Sequence, residues 1–415
     1  MPHLPINNAC GTKQVPPLQH ETMPNRTKLN FTLDEYNSRL ARTRQAMSNK
    51  NIDCLIVVDP SNMAWLSGYD GWSFYTHQCV IVQHDHQPIW WGRGIDAPGA
   101  VRTTYLDEDN ILKYPDHYVQ STERHPMDHL SRVLTERKLD QGSVGIEMEN
   151  YYFSAAAYLS LQTHLPRATL VDATALVNWQ RIIKSEQELS YMSSAARIVE
   201  NMHSHIYDII EPGLAKNELA AEIFHAGIKG KDEHWGDYPA IMPLLPTGMD
   251  ATAAHLTWDN SKLKPGDITF FEIAGCHKRY HCPLSRTISL GTPPQKYLDA
   301  EKAVLDAMHS GLENAKPGKR CEDVAIAFFD TLETHGFKKD NRTGYSIGLS
   351  YPPDWGERTI SLRRGDKTEL EENMTFHFMP ALWLDDGGLE ITESVVITEN
   401  GYERLATVPQ KLLVK

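Results

Sequence analysis

The chain has 415 residues, 41% of them hydrophobic and 9% aromatic, with 24 prolines and a formal net charge of −13. That length predicts two domains rather than one core, and the negative charge argues against nucleic acid and anionic membrane surfaces as partners. No run approaches the roughly 18 apolar residues that a membrane span needs.

In chain order, the first 22 residues, MPHLPINNACGTKQVPPLQHET, lack the apolar stretch of a secretory signal. Residues 1–25 read as a Pro-rich disordered tail, with Met23 as a candidate start. Cys10, Cys54, Cys79, Cys276, Cys282 and Cys321 form no Cys-x-x-Cys pair, which fits a reducing cytoplasm. A helix opens at Thr32, with Glu35 at the spacing of a capping box. CLIVVD (54–59), CVIVQ (79–83) and SVGIEM (143–148) read as buried strands. With helical patterns near 126–138 and 153–163 they predict an α/β domain over residues 26–178.

A second box, Ser185 to Glu188, opens a longer helix. It carries Leu189, Met192, Ala196, Val199, Met202 and Ile206 on one face and stops at Pro212-Gly213. A helix over 216–229 follows, then strands through 238–290, helices over 297–315 and 321–335, and strands from 344 to 398. Paired helices between strand hairpins predict an α+β domain over 179–415.

The chain has no phosphate-binding Gly loop, no His-Glu-x-x-His and no Gly-x-Ser-x-Gly. Polar residues recur instead on the strand-rich part of the second half: His255, Glu272, Arg286, Tyr345, Asp354, Trp355, His377 and Glu393. Glu272 lies between Phe271 and Ile273, where an acid contributes nothing to a core. It is the candidate catalytic carboxylate, with a structural ion pair to Arg286 as the alternative. His377 alternates with Phe376 and Phe378 and so faces away from them. GYDGWSFY (68–75) reads as a lid that carries Trp72.

IKSEQELSYMSSAARI (183–198), AAHLTWDNSKLKPGDITFFEIAG, RYHCPLSRTISLG, GYSIGLSYPPDWGE and MTFHFMPALWLDDGGLEITESVVITENG resemble, in order, the catalytic segments of the creatinase/aminopeptidase, or pita-bread, family. The likeness covers residues 180–415 well and the N-terminal half more loosely. It implies a creatinase-like α/β domain followed by a pita-bread catalytic domain. Metallopeptidase members hold two metal ions with two Asp, one His and two Glu. The corresponding positions here are Glu272, Pro283, Tyr345, Met379 and either Thr392 or Glu393. With Pro and Met where oxygen donors belong, the comparison implies no metal and no other cofactor.

Creatinase itself resembles a metal-free member, and its general base matches His255. SYPPDWGE, RYHCPLSRT and GGLEITES resemble the ectoine-hydrolase subgroup, which opens a cyclic amidine. That resemblance implies Glu272 as nucleophile or general base and His255 as proton shuttle. It leaves Tyr345, Asp354, Trp355, His377, Glu393, Arg286 and Trp72 as substrate contacts. An amidinium ring suits a carboxylate neighbour, and the face of Trp355 would add a cation–π contact. The resemblance further implies a cytoplasmic homodimer. The alternatives are a creatinase-like amidinohydrolase, a dimethylsulfoniopropionate lyase, which should keep metal ligands, and a non-enzymatic pseudo-peptidase binding module.

Overall fold

The computed structural model describes residues 29–415, and the expected tail over 1–25 lies outside the described residues. The N-terminal half is a six-stranded mixed sheet in the order β4-β3-β2-β1-β5-β6. Its strands are β1 (Cys54–Val57), β2 (Cys79–Gln83), β3 (Ile89–Arg93), β4 (Ile111–Tyr114), β5 (Gly142–Ile146) and β6 (Ala168–Asp172). β1 sits centrally between antiparallel β2 and parallel β5, and all its residues are buried. This is why CLIV reads as an unbroken apolar run rather than an alternating one. The first helix spans Leu33–Asn49, and Thr32 Oγ1 accepts the Glu35 N–H at 3.2 Å. The reciprocal half of the expected capping box is replaced: the Glu35 carboxylate accepts from Arg39 at 3.0 Å instead.

The second half opens on the helix Glu186–Ile209, whose capping box between Ser185 and Glu188 is complete. Its apolar face lies on a long hairpin of β7 (Ile268–His277) and β8 (Tyr280–Ser289), whose two strands are buried at every residue. Close approach is possible because Gly275 has no side chain: a Cβ there would lie 2.0 Å from the Ala195 carbonyl oxygen. The hairpin turns on Lys278 and Arg279, both in the left-handed region at φ 49° and 68°, as a tight two-residue turn requires. Arg279 is held there by Asp70 at 3.0 Å and Asp237 at 3.6 Å.

A second sheet, β10-β9-β11-β14-β15, packs beside this hairpin. Its strands are β9 (Gly344–Ile347), β10 (Gly356–Ser361), β11 (Thr375–Phe378), β14 (Glu393–Thr398) and β15 (Gly401–Arg404). A separate hairpin joins β12 (Ala381–Leu384) and β13 (Gly387–Glu390). The helices Gln295–Leu312 and Cys321–Thr334 pair with each other on the outside. The strands expected from 238 do not form. Residues 238–267 run as an irregular segment that touches β7 through the isolated bridges Leu244–Glu272 and Thr247–Thr269. Pro239, Pro243 and Pro246 remove the N–H groups a continuous ladder would need.

Buried charges join the two halves. Glu188 Oε1 accepts from Trp65 Nε1 at 3.0 Å and from Tyr280 Oη at 2.8 Å, with Arg39 3.4 Å away. Glu357, paired with Lys184 at 2.8 Å and Arg181 at 3.4 Å, is tied to the first half through Arg181 Nη1, which donates to Asn62 Oδ1 at 2.7 Å. The described cysteines, Cys54, Cys79, Cys276, Cys282 and Cys321, are free and buried.

Candidate active site

Strand alternation decides which side chains meet. In the β7–β8 register Glu272 lies opposite Ser285, and Ala274 opposite Pro283, so Glu272, Pro283 and Ser285 share one face. Arg286 lies opposite Phe271, on the other face. The expected alternative for Glu272, an ion pair with Arg286, is therefore not formed. None of the described residues hydrogen-bonds the Glu272 carboxylate. The residue is 4% exposed. Burial pushes its pKa well above the usual carboxylate range, the Glu390 charge adds to this, and Lys339 opposes it.

Glu390 and Lys339 do not stand out in the sequence, and they complete the site. Glu390 ends β13, and its Oε2 accepts from Ser285 Oγ at 2.6 Å. Burial raises its pKa to about 7 against the pull of Ser285 and Lys339. Lys339 comes from the loop before β9, and burial lowers its pKa to about 8 despite the pull of both glutamates. The arrangement is two buried carboxyls with one buried ammonium acting on both.

Beside it runs a hydrogen-bonded chain. Trp355, wholly buried, donates its Nε1–H to Tyr345 Oη at 2.7 Å. Tyr345 Oη lies 3.3 Å from His377 Nδ1, and His377 Nε2 lies 2.7 Å from Thr392 Oγ1. Thr392 Oγ1 in turn accepts the Ser285 N–H at 2.7 Å. Burial, with the Arg286 and Arg342 charges, pushes the His377 pKa down to about 3, so the imidazole is neutral. The Trp355 ring is thus not a free aromatic wall for a cation, as the sequence suggested; its N–H positions the Tyr345 hydroxyl. Tyr345 is close enough to Glu272 for the carboxylate charge to raise its pKa.

The choice between Thr392 and Glu393 is settled by β14. Phe378 lies opposite Glu393, and His377 opposite Ser394, so Thr392 shares the His377 side and Glu393 points away. Glu393 meets Arg286 at 2.6 Å, both fully buried. Arg286 also donates to the carbonyls of Pro409, Ser285, Thr392 and Val408 at 2.6–2.9 Å. Expected to touch substrate, this pair is instead a brace behind the sheet.

His255 lies in an exposed turn after the short 3-10 helix Gly248–Thr252, and no hydrogen bond or ion pair joins it to Glu272. Asp354 is half-buried and caps its own turn, accepting the Gly356 N–H at 2.9 Å; its charge still bears on Glu272. Trp72 is 56% exposed and packs against Phe74 and Tyr238 at centroid distances of 4.8 and 4.7 Å. Its loop is anchored by Asp70 to Arg279 and to Tyr351 Oη, at 3.0 and 2.8 Å.

The model for the creatinase/prolidase N-terminal domain matches residues 39–183, and that for metallopeptidase family M24 matches residues 190–399. The chain belongs to the M24 family. Among similar chains, the ectoine hydrolase of Halomonas elongata is 55% identical over 93% of this chain and 99% of its own length. The creatinase of a Bacillus species is 24% identical over 92% of this chain and 93% of its own. The fold matches that of the Thermococcus sibiricus prolidase at 18% identity with a TM-score of 0.79, covering 92% and 99% of the two chains.

The M24 metallopeptidase arrangement calls for a pair of metal ions, and the residues here do not fit one. On the Glu272 face, Pro283 offers no donor. At the other positions that the resemblance picks out are Tyr345, Met379 and Thr392, and Thr392 Oγ1 is already engaged by His377 and Ser285. Hard divalent ions need several oxygen or nitrogen ligands. Among the described residues no group of three or more His, Cys, Asp or Glu is placed to hold one.

Proposed function

We propose that this M24 protein is a metal-independent hydrolase that opens the cyclic amidine ring of ectoine to an N-acetyl-2,4-diaminobutyrate. The observation that carries the substrate is the near full-length likeness to the Halomonas ectoine hydrolase. The buried glutamate pair supports the chemistry. A carboxylate facing an amidinium gains roughly 4 kcal/mol at 4 Å for an effective dielectric near 20, and burial weakens competition from water.

Glu272 attacks the amidinium carbon, and the C=N electron pair moves onto a ring nitrogen. That nitrogen takes a proton, the ring C–N bond breaks, and the acetimidoyl group is left on the Glu272 oxygen. Water then adds to the imidoyl carbon, Glu272 leaves as a carboxylate, and the amide and free amine of the product result. In the milder version Glu272 takes a proton from a water that attacks the carbon directly. His255, at an exposed turn, carries protons between the departing nitrogen and solvent in either version. A homodimer in a reducing cytoplasm belongs to the same proposal, which the free cysteines fit.

Proton NMR of ectoine with the purified protein tests the proposal. Ring opening that persists in chelator is the expected result. No turnover in either condition removes the substrate assignment, and turnover only without chelator overturns metal independence. The pH profile follows from the site. Glu272 and Glu390 hold their protons to higher pH than ordinary carboxyls, and the attacking, cation-binding form is the ionised one. As Glu390 takes up its proton with pH falling through about 7, kcat/KM is therefore expected to decline. A profile flat down to about pH 5, where ordinary carboxyls begin to protonate, would remove the pair from catalysis.

A further inference from the structure

Three buried polar atoms at this site have no hydrogen-bond partner among the described residues: Lys339 Nζ, Trp383 Nε1 and Glu390 Oε1. Native interiors leave few such atoms, and these three gather at one place. In the β12–β13 register Ala381 lies opposite Glu390, and Trp383 opposite Gly388, so Trp383 and Glu390 project from the same face of the hairpin. Lys339 Nζ lies 4.5 Å from the centre of the Trp383 ring, and its charge acts on Glu390. The fold gives no reason for two unused donors and one unused acceptor here. A ligand presenting an anionic acceptor beside an N–H would satisfy all three.

The proposed substrate has that form. Its carboxylate sits on the ring carbon bonded to one amidinium nitrogen, so an anion and an N–H donor project from adjacent atoms. We propose that Lys339 and Trp383 bind the ring carboxylate while Glu390 accepts the neighbouring ring N–H, leaving Glu272 to face the amidinium carbon. This rests on the ring-opening reading and names the residues that select a carboxylated ring. The competing role for Lys339, a simple counter-ion to the two glutamates, makes a different prediction. Its loss would then weaken any amidinium equally, with or without a carboxylate.

The test measures kcat/KM for ectoine and for the same methyl-tetrahydropyrimidine ring without its carboxylate, in the wild type, Lys339→Met and Trp383→Phe. Hydrogen bonds to charged groups are worth roughly 10- to 150-fold. Wild type is expected to prefer the carboxylated ring by about 100-fold or more. Lys339→Met should lower that preference about 10- to 100-fold, beyond the loss common to both rings that follows when Glu272 and Glu390 lose their counter-charge. Trp383→Phe, which keeps an aromatic ring but removes the N–H, should lower it roughly 3- to 10-fold. Equal losses on both substrates in the two variants overturn the proposal. If Lys339→Met does not fold, Trp383→Phe decides the matter by the same ratio. A wild type that opens neither ring overturns the ring-opening reading itself, whereas one that opens ectoine without preferring it overturns only the carboxylate subsite.

Discussion

Glu272→Gln is expected to lower ring opening by about 10⁴-fold or more, on the scale seen when a nucleophile is removed from an otherwise intact site. The substitution keeps volume and shape inside a strand that is buried along its whole length, so folding should be little changed. It removes both the attacking oxygen pair and the negative charge opposite the amidinium. Turnover by proton NMR, beside a thermal melt, is the measurement. Activity within tenfold of wild type would exclude Glu272 as nucleophile and as base alike. Rapid quenching of the wild type, followed by intact mass, separates the two mechanisms: only the covalent route leaves a substrate-derived adduct on the protein.

Arg286→Met should act on stability and leave the chemistry alone. Its guanidinium joins Glu393 and four backbone carbonyls from three segments of the chain. Removing it leaves a buried carboxylate without its main partner, which costs about 3–5 kcal/mol. For a single transition of a chain this long, that corresponds to a melting midpoint lower by about 4–6 °C. KM for ectoine, measured on the folded protein at low temperature, should stay within about twofold, well below the change that loss of a charged hydrogen bond brings. A raised KM with an unchanged midpoint would return Arg286 to the substrate-binding surface.

Periodicity and capping spacing located the main helices and the strands β1, β2, β7 and β8, because those signals are local. The β10-β9-β11-β14-β15 sheet was legible only as a strand-rich stretch. Glu272 stood out because an acid inside an apolar run is conspicuous wherever it occurs. Glu390 did not, since "GGLEIT" looks like an ordinary strand end. Its role appears only when the β12–β13 hairpin folds back and brings it to Ser285. Lys339 sits in "FKKDN", the composition of a solvated turn, and nothing local announces that its ammonium is buried. The side chosen by Thr392 and Glu393 required the pairing of β14 with β11, a long-range register that no single strand contains. In the 238–267 segment, a texture of Pro, Gly and aromatic residues suggested strands, but its three prolines break the ladder that strands require.

The Glu188 side chain that caps the helix Glu186–Ile209 also receives Trp65 and Tyr280 and stands next to Arg39. The end of one helix is thus where the two halves are welded. Cutting the chain between them would strand Arg39 and Trp65 on one piece and Glu188 on the other, each deprived of a buried partner. The N-terminal half is therefore not a detachable module, and neither piece is expected to be autonomous. Calorimetry of the whole protein should show one cooperative transition rather than two. Insertions and fusions will be tolerated at the exposed rim of the sheet, and not at the hinge that sequence length alone would recommend.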